Sequence, residues 1–483
     1  MSEFPREQPP TGDTTTDAEA DHRRWVALLV CCSALFMTLL DVSVTNVALP
    51  AIGDATGAGN SELQWVVSGY TLAFGLVPVL AGRLGDDHGR RRMFQVGIAG
   101  FAVTSALSGL APTASVLIAM RVLQGLFGGL VNPQVSGLVQ QMFRGSERGR
   151  AFGALGTTVG LGTALGPLVG GSLIALGGPD LGWRLVFFVN VPVGVVVIAL
   201  ARRYLPHAPP VGRHRLDVIG SALLGSATFC VLFASVEYRG IGARVLLLAV
   251  PAAGLLVGFF LRERRLTRER KDPLVDLRLF RRPSYTAGVL VALAFFPATA
   301  GLPLVLAVYF QRGLGYSALD SALGVTAFAA GSAVAAQTAG RFVSRIGRPL
   351  VVAACLVFGL GALSMALVAR TVPVEHATLA LAGPLFLMGL GTGGLITPNQ
   401  ALTLVDVDPV VGSTAGGVLQ TAQRVGLAIG QAVIGSVFFS AVAGSGAASY
   451  AHALGAAVTA ALGFVAVATV IAVLEVVRER RSA

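Results

Sequence analysis

One carboxylate and two guanidinium groups lie deep within stretches of this sequence that are otherwise apolar. Asp41 follows the uncharged run Trp25–Leu40, and Arg121 and Arg424 lie inside two later apolar runs. If these runs cross a bilayer as helices, a rise of about 1.5 Å per residue puts all three charges in its outer half. A charge near the centre of a span costs about 2.5–3.5 kcal/mol on the insertion scale, so each is a candidate for function.

Asp41 is the main candidate for carrying a proton. Loss of water and a nearby guanidinium act in opposite directions on the proton affinity of a carboxylate, so helix movements around Asp41 would load or release a proton. Arg121 is the expected partner, and Arg424 is a further candidate for coupling. Two alternatives stay open: a polar helix–helix contact for Asp41, and an Arg121 side chain that reaches outward to the membrane surface. With a single deep acid, we expect about one proton per transport cycle.

Polar or aromatic groups within the apolar runs are candidates for lining a substrate cavity. These candidates are Thr38, Thr45, Gln64, Tyr70, Gln124, Asn132, Asn190, Gln337 and Asn399. Contacts with lipid or with neighbouring helices explain each of them at least as well. The sequence therefore does not define a substrate beyond a small amphipathic molecule.

The composition predicts the elements that position these groups. Of the 483 residues, 54% are hydrophobic and 13% are charged, whereas soluble proteins carry about 25% charged residues. Fourteen apolar runs are long enough to span a bilayer as helices. Placing both termini in the cytoplasm puts 29 of the 36 Lys and Arg residues on the inner side, as the positive-inside rule requires. We expect an all-α integral membrane protein of 14 helices, in a bacterial cytoplasmic membrane.

The remaining features argue against other classes of protein. The net charge of +11 is assigned to surfaces that face anionic lipid headgroups, not to nucleic acid. The four cysteines lie in apolar runs, and we find no phosphate loop, metal-ligand cluster or nucleophile elbow. The sequence thus predicts neither an enzyme nor a metal or cofactor, and a monomer is expected.

Internal repeats indicate a duplicated unit. Gly82–Arg90 matches Gly340–Arg348, and Gly128–Pro133 matches Gly393–Pro398, at separations of 258 and 265 residues. Duplicated helical halves with a site between them are common in transporters. The predicted organisation is a tail at 1–24, a six-helix bundle at 25–205, two inserted spans within 206–284, a second six-helix bundle at 285–477 and a basic tail at 478–483.

Five motifs in this order resemble the major facilitator superfamily and, within it, the fourteen-span drug:proton antiporters. They are Leu40–Pro50, Gly82–Arg92, Arg121–Gly125, Gly153–Gly171 and Trp183–Gly194. The resemblance covers nearly the whole chain after the N-terminal tail. It implies two six-helix bundles plus two extra helices, alternating access, and exchange of protons for a drug or antibiotic.

The resemblance also implies roles for individual residues. Asp41 would bear the exchanged proton, with Arg121 assisting its movement. A cytoplasmic gate motif would comprise Gly82, Asp86, Gly89, Arg90 and Arg91. Asp87 departs from this motif, in which a basic residue is usual. An antiporter motif would comprise Gly153, Gly162, Gly166, Pro167, Gly170 and Gly171; a tight joint between moving halves and ordinary close packing describe these residues equally well.

Proton-coupled export of small amphipathic drugs is the function that these observations favour. One alternative is a proton-coupled uptake permease for a small metabolite, against which the glycine-rich motif argues. Another is a membrane sensor that transports nothing, against which Asp41 and Arg121 argue.

Overall fold

The computed structural model describes residues 14–207, 217–241, 247–269, 271, 273–316, 321, 324–373, 376–444 and 446–482. These residues are almost entirely helical and contain no β-strand. Apolar segments of this length fold as helices because a helix satisfies every backbone hydrogen bond within the segment. The expectation of an all-α protein is confirmed for this part of the chain.

Seven helices make up the N-terminal part of the described chain. They are α1 (Thr14–Thr56), α2 (Asn60–Leu76), α3 (Pro78–His88), α4 (Arg90–Gly109), α5 (Ala114–Met142), α6 (Gly145–Phe188) and α7 (Asn190–Tyr204). Helices α2 and α3 meet at a 49° bend, because Pro78 has no backbone N–H to continue the hydrogen bonds of α2. Helix α6 is kinked at Gly178, whose φ of 67° is a conformation that glycine tolerates.

Eight further helices follow. They are α8 (Val218–Ile241), α9 (Ala249–Arg268), α10 (Pro283–Val308), α11 (Thr326–Ile346), α12 (Pro349–Thr371), α13 (Ala377–Thr403), α14 (Gly412–Ala441) and α15 (Ala447–Ser482). A π-helical turn, Tyr309–Gly313, extends α10. Short 3₁₀ turns at Leu277–Arg281 and Pro409–Val411 precede α10 and α14.

Eight of the described helices are long and apolar enough to cross a membrane by length and composition, or nine if the bent α2–α3 pair counts as one span. The structure therefore agrees with a multi-span membrane protein. The number fourteen and the side on which the termini lie stay predictions, as do the domain boundaries.

The helices pack as two groups that meet along shared surfaces. In the first group α1 packs on α6, and α5 packs on both α2 and α4. In the second group α13 packs on α11 and α12, while α10 packs on α14 and α15. Contacts between the groups involve α6 with α11 and α3 with α14. Helices α8 and α9 pair with each other, and α8 also contacts α2 and α14.

Several contacts place the charged helix ends on one side of the molecule, which we call the basic face. Arg24 near the start of α1 is 3.0 Å from Glu147 at the start of α6. Arg348, between α11 and α12, is 3.8 Å from Glu479 near the end of α15. Gly149 near the start of α6 lies directly against Gly340 near the end of α11, so the basic face carries the α5–α6 and α11–α12 connections and both ends of the described chain.

Candidate functional site

Asp41 on α1 and Arg121 on α5 form an ion pair in the interior of the first helix group. Oδ2 of Asp41 lies 2.5 Å from Nη1 of Arg121, and both side chains are fully buried. Arg121 Nε also donates to the Val66 carbonyl at 3.2 Å. Removing one partner from such a pair would leave an uncompensated buried charge, which is strongly destabilising. The pair therefore ties α1 to α5 as long as Asp41 carries its charge.

Two amides complete the surroundings of the Asp41 carboxylate. Oδ1 accepts hydrogen bonds from Gln124 Nε2 at 2.9 Å and from Asn190 Nδ2 at 2.8 Å. Asn190, the first residue of α7, also donates to the Ser105 hydroxyl of α4 at 3.0 Å. Carboxylate oxygens only accept when ionised, and a protonated carboxyl must donate one hydrogen bond itself. The observed arrangement of donors therefore suits the deprotonated form of Asp41.

A chain of ring contacts leads from this ion pair to Arg424 on α14. The Arg121 guanidinium carbon lies 4.3 Å from the centre of the Tyr70 ring, and Tyr70 stacks on Phe74 at 5.8 Å. The guanidinium carbon of Arg424 lies 4.4 Å from the centre of the Phe74 ring. Cation–π contacts of this kind contribute about 2 kcal/mol or more when desolvated. The two arginines are thus linked through aromatic side chains of α2.

Arg424 also borders a cavity of about 210 Å³ between the two helix groups. Residues of α1, α5, α6, α10, α13 and α14 line the cavity. They are Leu35, Leu39, Asn132, Val135, Ser136, Phe152, Leu155, Gly156, Val159, Phe296, Ile396, Gln400, Gln420, Gln423, Arg424 and Leu427. Arg424 alone among these residues carries a formal charge. Gln400 and Gln420 each donate to the Ser136 hydroxyl at 3.2 Å, so amides of the second group reach α5 across the cavity.

Asp86 at the end of α3 binds the first turn of α14. Its Oδ2 accepts from the Thr414 backbone N–H at 2.9 Å and from the Thr414 hydroxyl at 2.8 Å, and Oδ1 accepts from the Ser413 N–H at 3.3 Å. The first N–H groups of a helix have no partner within it, and its dipole favours a negative charge there. Asp86 therefore fastens the first helix group to the second.

Arg90, the first residue of α4, strengthens the same junction. Its guanidinium donates to Asp86 at 2.8 Å and to the Gly137 carbonyl at 2.8 Å. It also donates to the carbonyls of Pro409 and of Val410, the latter at 3.1 Å. These donors satisfy carbonyls from both helix groups beside the α5–α6 connection, so the junction is closed at the basic face in this structure. The Gly89 φ of 95° between α3 and α4 is compatible with glycine and allows the sharp turn that brings Arg90 back to Asp86.

Comparison with known proteins decides the family. Residues 31–431 match the family model of the Major Facilitator Superfamily. The chain belongs to the Major Facilitator Superfamily. The family expected from the motifs is thus confirmed, and this major facilitator is a multi-pass protein of the bacterial inner membrane.

Curated relatives of this major facilitator include several proteins named for export or resistance. The probable actinorhodin transporter of Streptomyces coelicolor is 39% identical over 449 residues, covering 92% of this chain and 78% of the relative. The tetracenomycin C resistance and export protein of Streptomyces glaucescens is 33% identical, with 90% and 79% covered. The multidrug resistance protein Stp of Mycobacterium tuberculosis is 31% identical, with 85% and 75% covered.

Solved structures support the fold alone. The human organic anion transporter MFSD10 aligns with a TM-score of 0.67 at 16% identity, covering 96% of this chain and all of that one. The proton:xylose symporter XylE aligns with a TM-score of 0.64 at 16% identity, covering 92% and 95%.

Arg91, the last charged residue of the expected gate motif of this major facilitator, bonds within the first helix group and not across the junction. Arg91 donates to the carbonyl of Arg202 in the last turn of α7 and to the carbonyl of Leu205, the residue after this helix. Asp87, which departs from the family pattern, lies 3.2 Å from Arg83 on its own helix. Asp86 thus acts between the helix groups, whereas the pair that Asp87 forms with Arg83 stays within α3.

Gly82 provides a steric test of this junction. A Cβ atom at Gly82 would overlap the backbone carbonyl of Ser413 on α14. We therefore expect Gly82→Ala to push α3 and α14 apart and expose the cavity at the basic face. The rate at which a maleimide applied from the basic face labels a cysteine in the cavity should rise about tenfold or more. A tenfold rise corresponds to a shift of about 1.4 kcal/mol in the equilibrium between the closed and open junction. Labelling equal to that of the parent protein would contradict this account, and Gly171→Ala, where no atom lies within 4 Å, is the matched control.

The glycines of the expected antiporter motif contact two different partners. Gly153 faces the second helix group, where a Cβ atom would lie 3.0 Å from the Ala336 carbonyl and 3.3 Å from Gly340. Gly162, Gly166 and Gly170 face Leu39, Ser43 and Val44 of α1, the helix that carries Asp41. Pro167 lies within α6, and its side chain is outside the described residues. The first part of α6 thus forms the joint between groups, while the second part packs within its own group.

The nine residues expected to line a substrate cavity occupy different places. Asn132 borders the cavity, whereas Tyr70, Gln124 and Asn190 surround Asp41 or Arg121. Four others form hydrogen bonds with the backbone or with a neighbouring helix. Thr38 and Thr45 donate to carbonyls of their own helix, α1. Asn399 donates to the Gly288 carbonyl, and Gln337 accepts from the Thr157 hydroxyl. Gln64 is exposed on α2. Short polar side chains in helices commonly satisfy themselves on the backbone in this way.

Three cavity amides were not anticipated from the sequence. Gln420 and Gln423 lie on the same face of α14 as Arg424, and Gln400 lies opposite them on α13. The spacing of 420, 423, 424 and 427 is the i, i+3, i+4, i+7 pattern of one helical face and was the available signal.

Proposed function

We propose that this chain exports a small amphipathic molecule, such as a drug or antibiotic, across the bacterial cytoplasmic membrane in exchange for protons. The buried Asp41–Arg121 pair is the observation that carries this proposal, because a carboxylate at such a depth is characteristic of proton relays in transporters. The relatives named for actinorhodin transport, tetracenomycin C export and multidrug resistance support the direction of transport.

The proposed topology has fourteen spans and a cytoplasmic basic face. The distribution of Lys and Arg between connections supports this orientation. The pair α8–α9, which contacts α2 and α14 at the boundary of the two helix groups, supplies the two spans beyond twelve. If the basic face is cytoplasmic as proposed, the Asp86–Arg90 junction would close this transporter toward the cytoplasm.

We propose that proton coupling acts through the donors around Asp41. In the deprotonated state, Arg121, Gln124 and Asn190 all donate to its two oxygens. When Asp41 takes up a proton, one oxygen becomes a donor that needs an acceptor of its own, so the hydrogen bonds around the carboxyl rearrange. The attraction between α1 and α5 falls with the charge, so the packing of α1 against α5 and α7 loosens. Protonation thereby biases the equilibrium between the two access states.

The ring contacts provide a route by which the substrate cavity senses this change. Arg121 is held between Asp41 and the Tyr70 ring. A neutral Asp41 leaves Arg121 free to move against Tyr70, and the stacked Phe74 passes this displacement to Arg424 at the cavity. The substrate and the proton thus act on the same set of side chains without sharing one site.

The proposal is tested by expression in a host that lacks its own drug pumps. We expect the chain to lower susceptibility to some amphipathic antibiotics. Inside-out vesicles should then accumulate the same compounds when their lumen is acidified, since export in the cell runs from cytoplasm to exterior. Accumulation by right-side-out vesicles under an inward proton gradient would favour the uptake permease. A change in neither assay across a broad panel would favour the membrane sensor.

A further inference from the structure

Arg424 is a half-buried charge within α14 whose partner is not a carboxylate. Within the described part of the chain no acid pairs with it, and its contact is the face of the Phe74 ring. Arginine stays protonated in proteins, and its five N–H groups are all donors. An intramembrane arginine is costly, and cations of this kind mark ion or substrate pathways. The guanidinium thus borders the cavity with its charge uncompensated by the protein.

The other polar groups at the cavity suit an acceptor-rich ligand. Gln400, Gln420 and Gln423 line the same space as Arg424, and each amide nitrogen carries two hydrogens, of which Gln400 and Gln420 each use one on Ser136. Asn132 and Ser136 add two further polar side chains, and the rest of the wall is apolar and includes the Phe152 and Phe296 rings. A cavity with mostly apolar walls and a few placed polar groups is the usual form of a small-molecule site.

We propose that Arg424 binds the anionic group of the exported substrate, an aromatic molecule with one carboxylate, sulfonate or acidic phenolate. This inference rests on the proposed function and names its substrate class. A cationic substrate would place its charge beside Arg424 with no acid among the cavity residues to offset it. An anion instead gains charge-assisted hydrogen bonds, which are roughly twice as strong as neutral ones. Its rings fill the apolar part of the cavity between Phe152 and Phe296.

An anionic substrate changes how the transporter uses the membrane potential. Export of one negative charge combined with entry of one proton moves two positive charges inward per cycle. A neutral substrate moves one, and a monovalent cation moves none. The inside-negative potential would therefore drive the anion outward more strongly than either of the other classes, even when the pH gradient is small.

A matched set of ligands tests the assignment. The probes are naphthalene-2-sulfonate, naphthalene-2-sulfonamide and 2-naphthylmethylammonium, which share one ring system and differ in charge. In lipid nanodiscs we expect the purified full chain to bind the sulfonate about tenfold or more tightly than the sulfonamide. Arg424→Gln should remove this preference, and Arg424→Lys should retain part of it. Arg312→Gln, at an exposed position, should leave the affinities within about twofold.

The outcomes distinguish this inference from the proposed function. Sulfonate binding without a preference over the sulfonamide, tighter binding of the ammonium, or a preference that survives in Arg424→Gln would each overturn the inference. The wild-type comparison decides the substrate class even if Arg424→Gln fails to fold. Proton-driven flux of the amine or sulfonamide alone would overturn the inference and leave the proposed function standing. Sulfonate-selective binding without proton-driven flux of any probe would leave the anion site standing and contradict the proposed function.

Discussion

Asp41→Asn is expected to abolish proton-driven export while the protein still inserts and folds. Asparagine matches the shape of aspartate but cannot release a proton, so the variant resembles a permanently neutral carboxyl. It also leaves the buried Arg121 charge without its carboxylate, which costs about 3–5 kcal/mol. A cost of that size shifts an equilibrium between access states by about two to four orders of magnitude. The measurement is the initial rate of substrate accumulation in proteoliposomes under an imposed pH gradient.

Two controls separate loss of coupling from loss of structure. Asp54→Asn removes a carboxylate from an exposed position on the same helix, and it should leave the transport rate within about twofold. Exchange of labelled for unlabelled substrate at equal concentrations does not require net proton movement. We expect the Asp41→Asn protein to retain measurable exchange and to lose accumulation against a gradient. Accumulation at the wild-type rate would remove Asp41 from the coupling mechanism.

Asp86→Asn is expected to open the basic face. Asp86 accepts two backbone N–H groups and one hydroxyl from the start of α14 and also pairs with Arg90. Hydrogen bonds to charged groups contribute about 1.5–3 kcal/mol each, so loss of the charge should shift the gate equilibrium by about tenfold to a hundredfold. The readout is maleimide labelling of Ser136→Cys, a cavity position, in a background without the four native cysteines.

Asp87→Asn is the matched control for the gate. Asp87 is the next residue on α3 and is also buried, but its ion pair is with Arg83 of the same helix. We expect Asp87→Asn to change cavity labelling far less than Asp86→Asn does. Equal labelling of the two variants would mean that the helix groups are held together by general packing and not by Asp86. Labelling from the opposite side of the membrane should fall in Asp86→Asn, because the two access states exclude each other.

The contact between Asp41 and Arg121 could be anticipated because few partners were available. Each charge needs an opposite charge in an apolar span, and their distances from the helix ends put them at similar depths. Asn190 could not be assigned in the same way, since a neutral amide is satisfied by many neighbours. Its bond to Asp41 depends on where α7 begins, directly after the end of α6. The third helix at this site therefore emerges only from the tertiary arrangement.

The cavity between the two helix groups was the least predictable part of the molecule. Nearly every helix is apolar around its whole circumference, so periodicity does not separate faces toward lipid from faces toward the partner group. Gln400 and Gln420 meet Ser136 only because α13 and α14 approach α5 across the two helix groups. The helices that pack against the glycines of α6 could not be predicted for the same reason. Close helix approach is readable from small residues, but the identity of the approaching helix is not.

The most direct test of the central claim is the infrared spectrum of the purified protein in lipid, recorded as the pH is lowered. If Asp41 is the proton carrier, the wild-type protein gains a C=O stretching band of a protonated carboxyl that the Asp41→Asn protein lacks, and Arg121→Gln changes the pH at which this band appears. Superimposable difference spectra of wild type and Asp41→Asn across the pH range of transport would contradict the claim that Asp41 takes up and releases the exchanged proton.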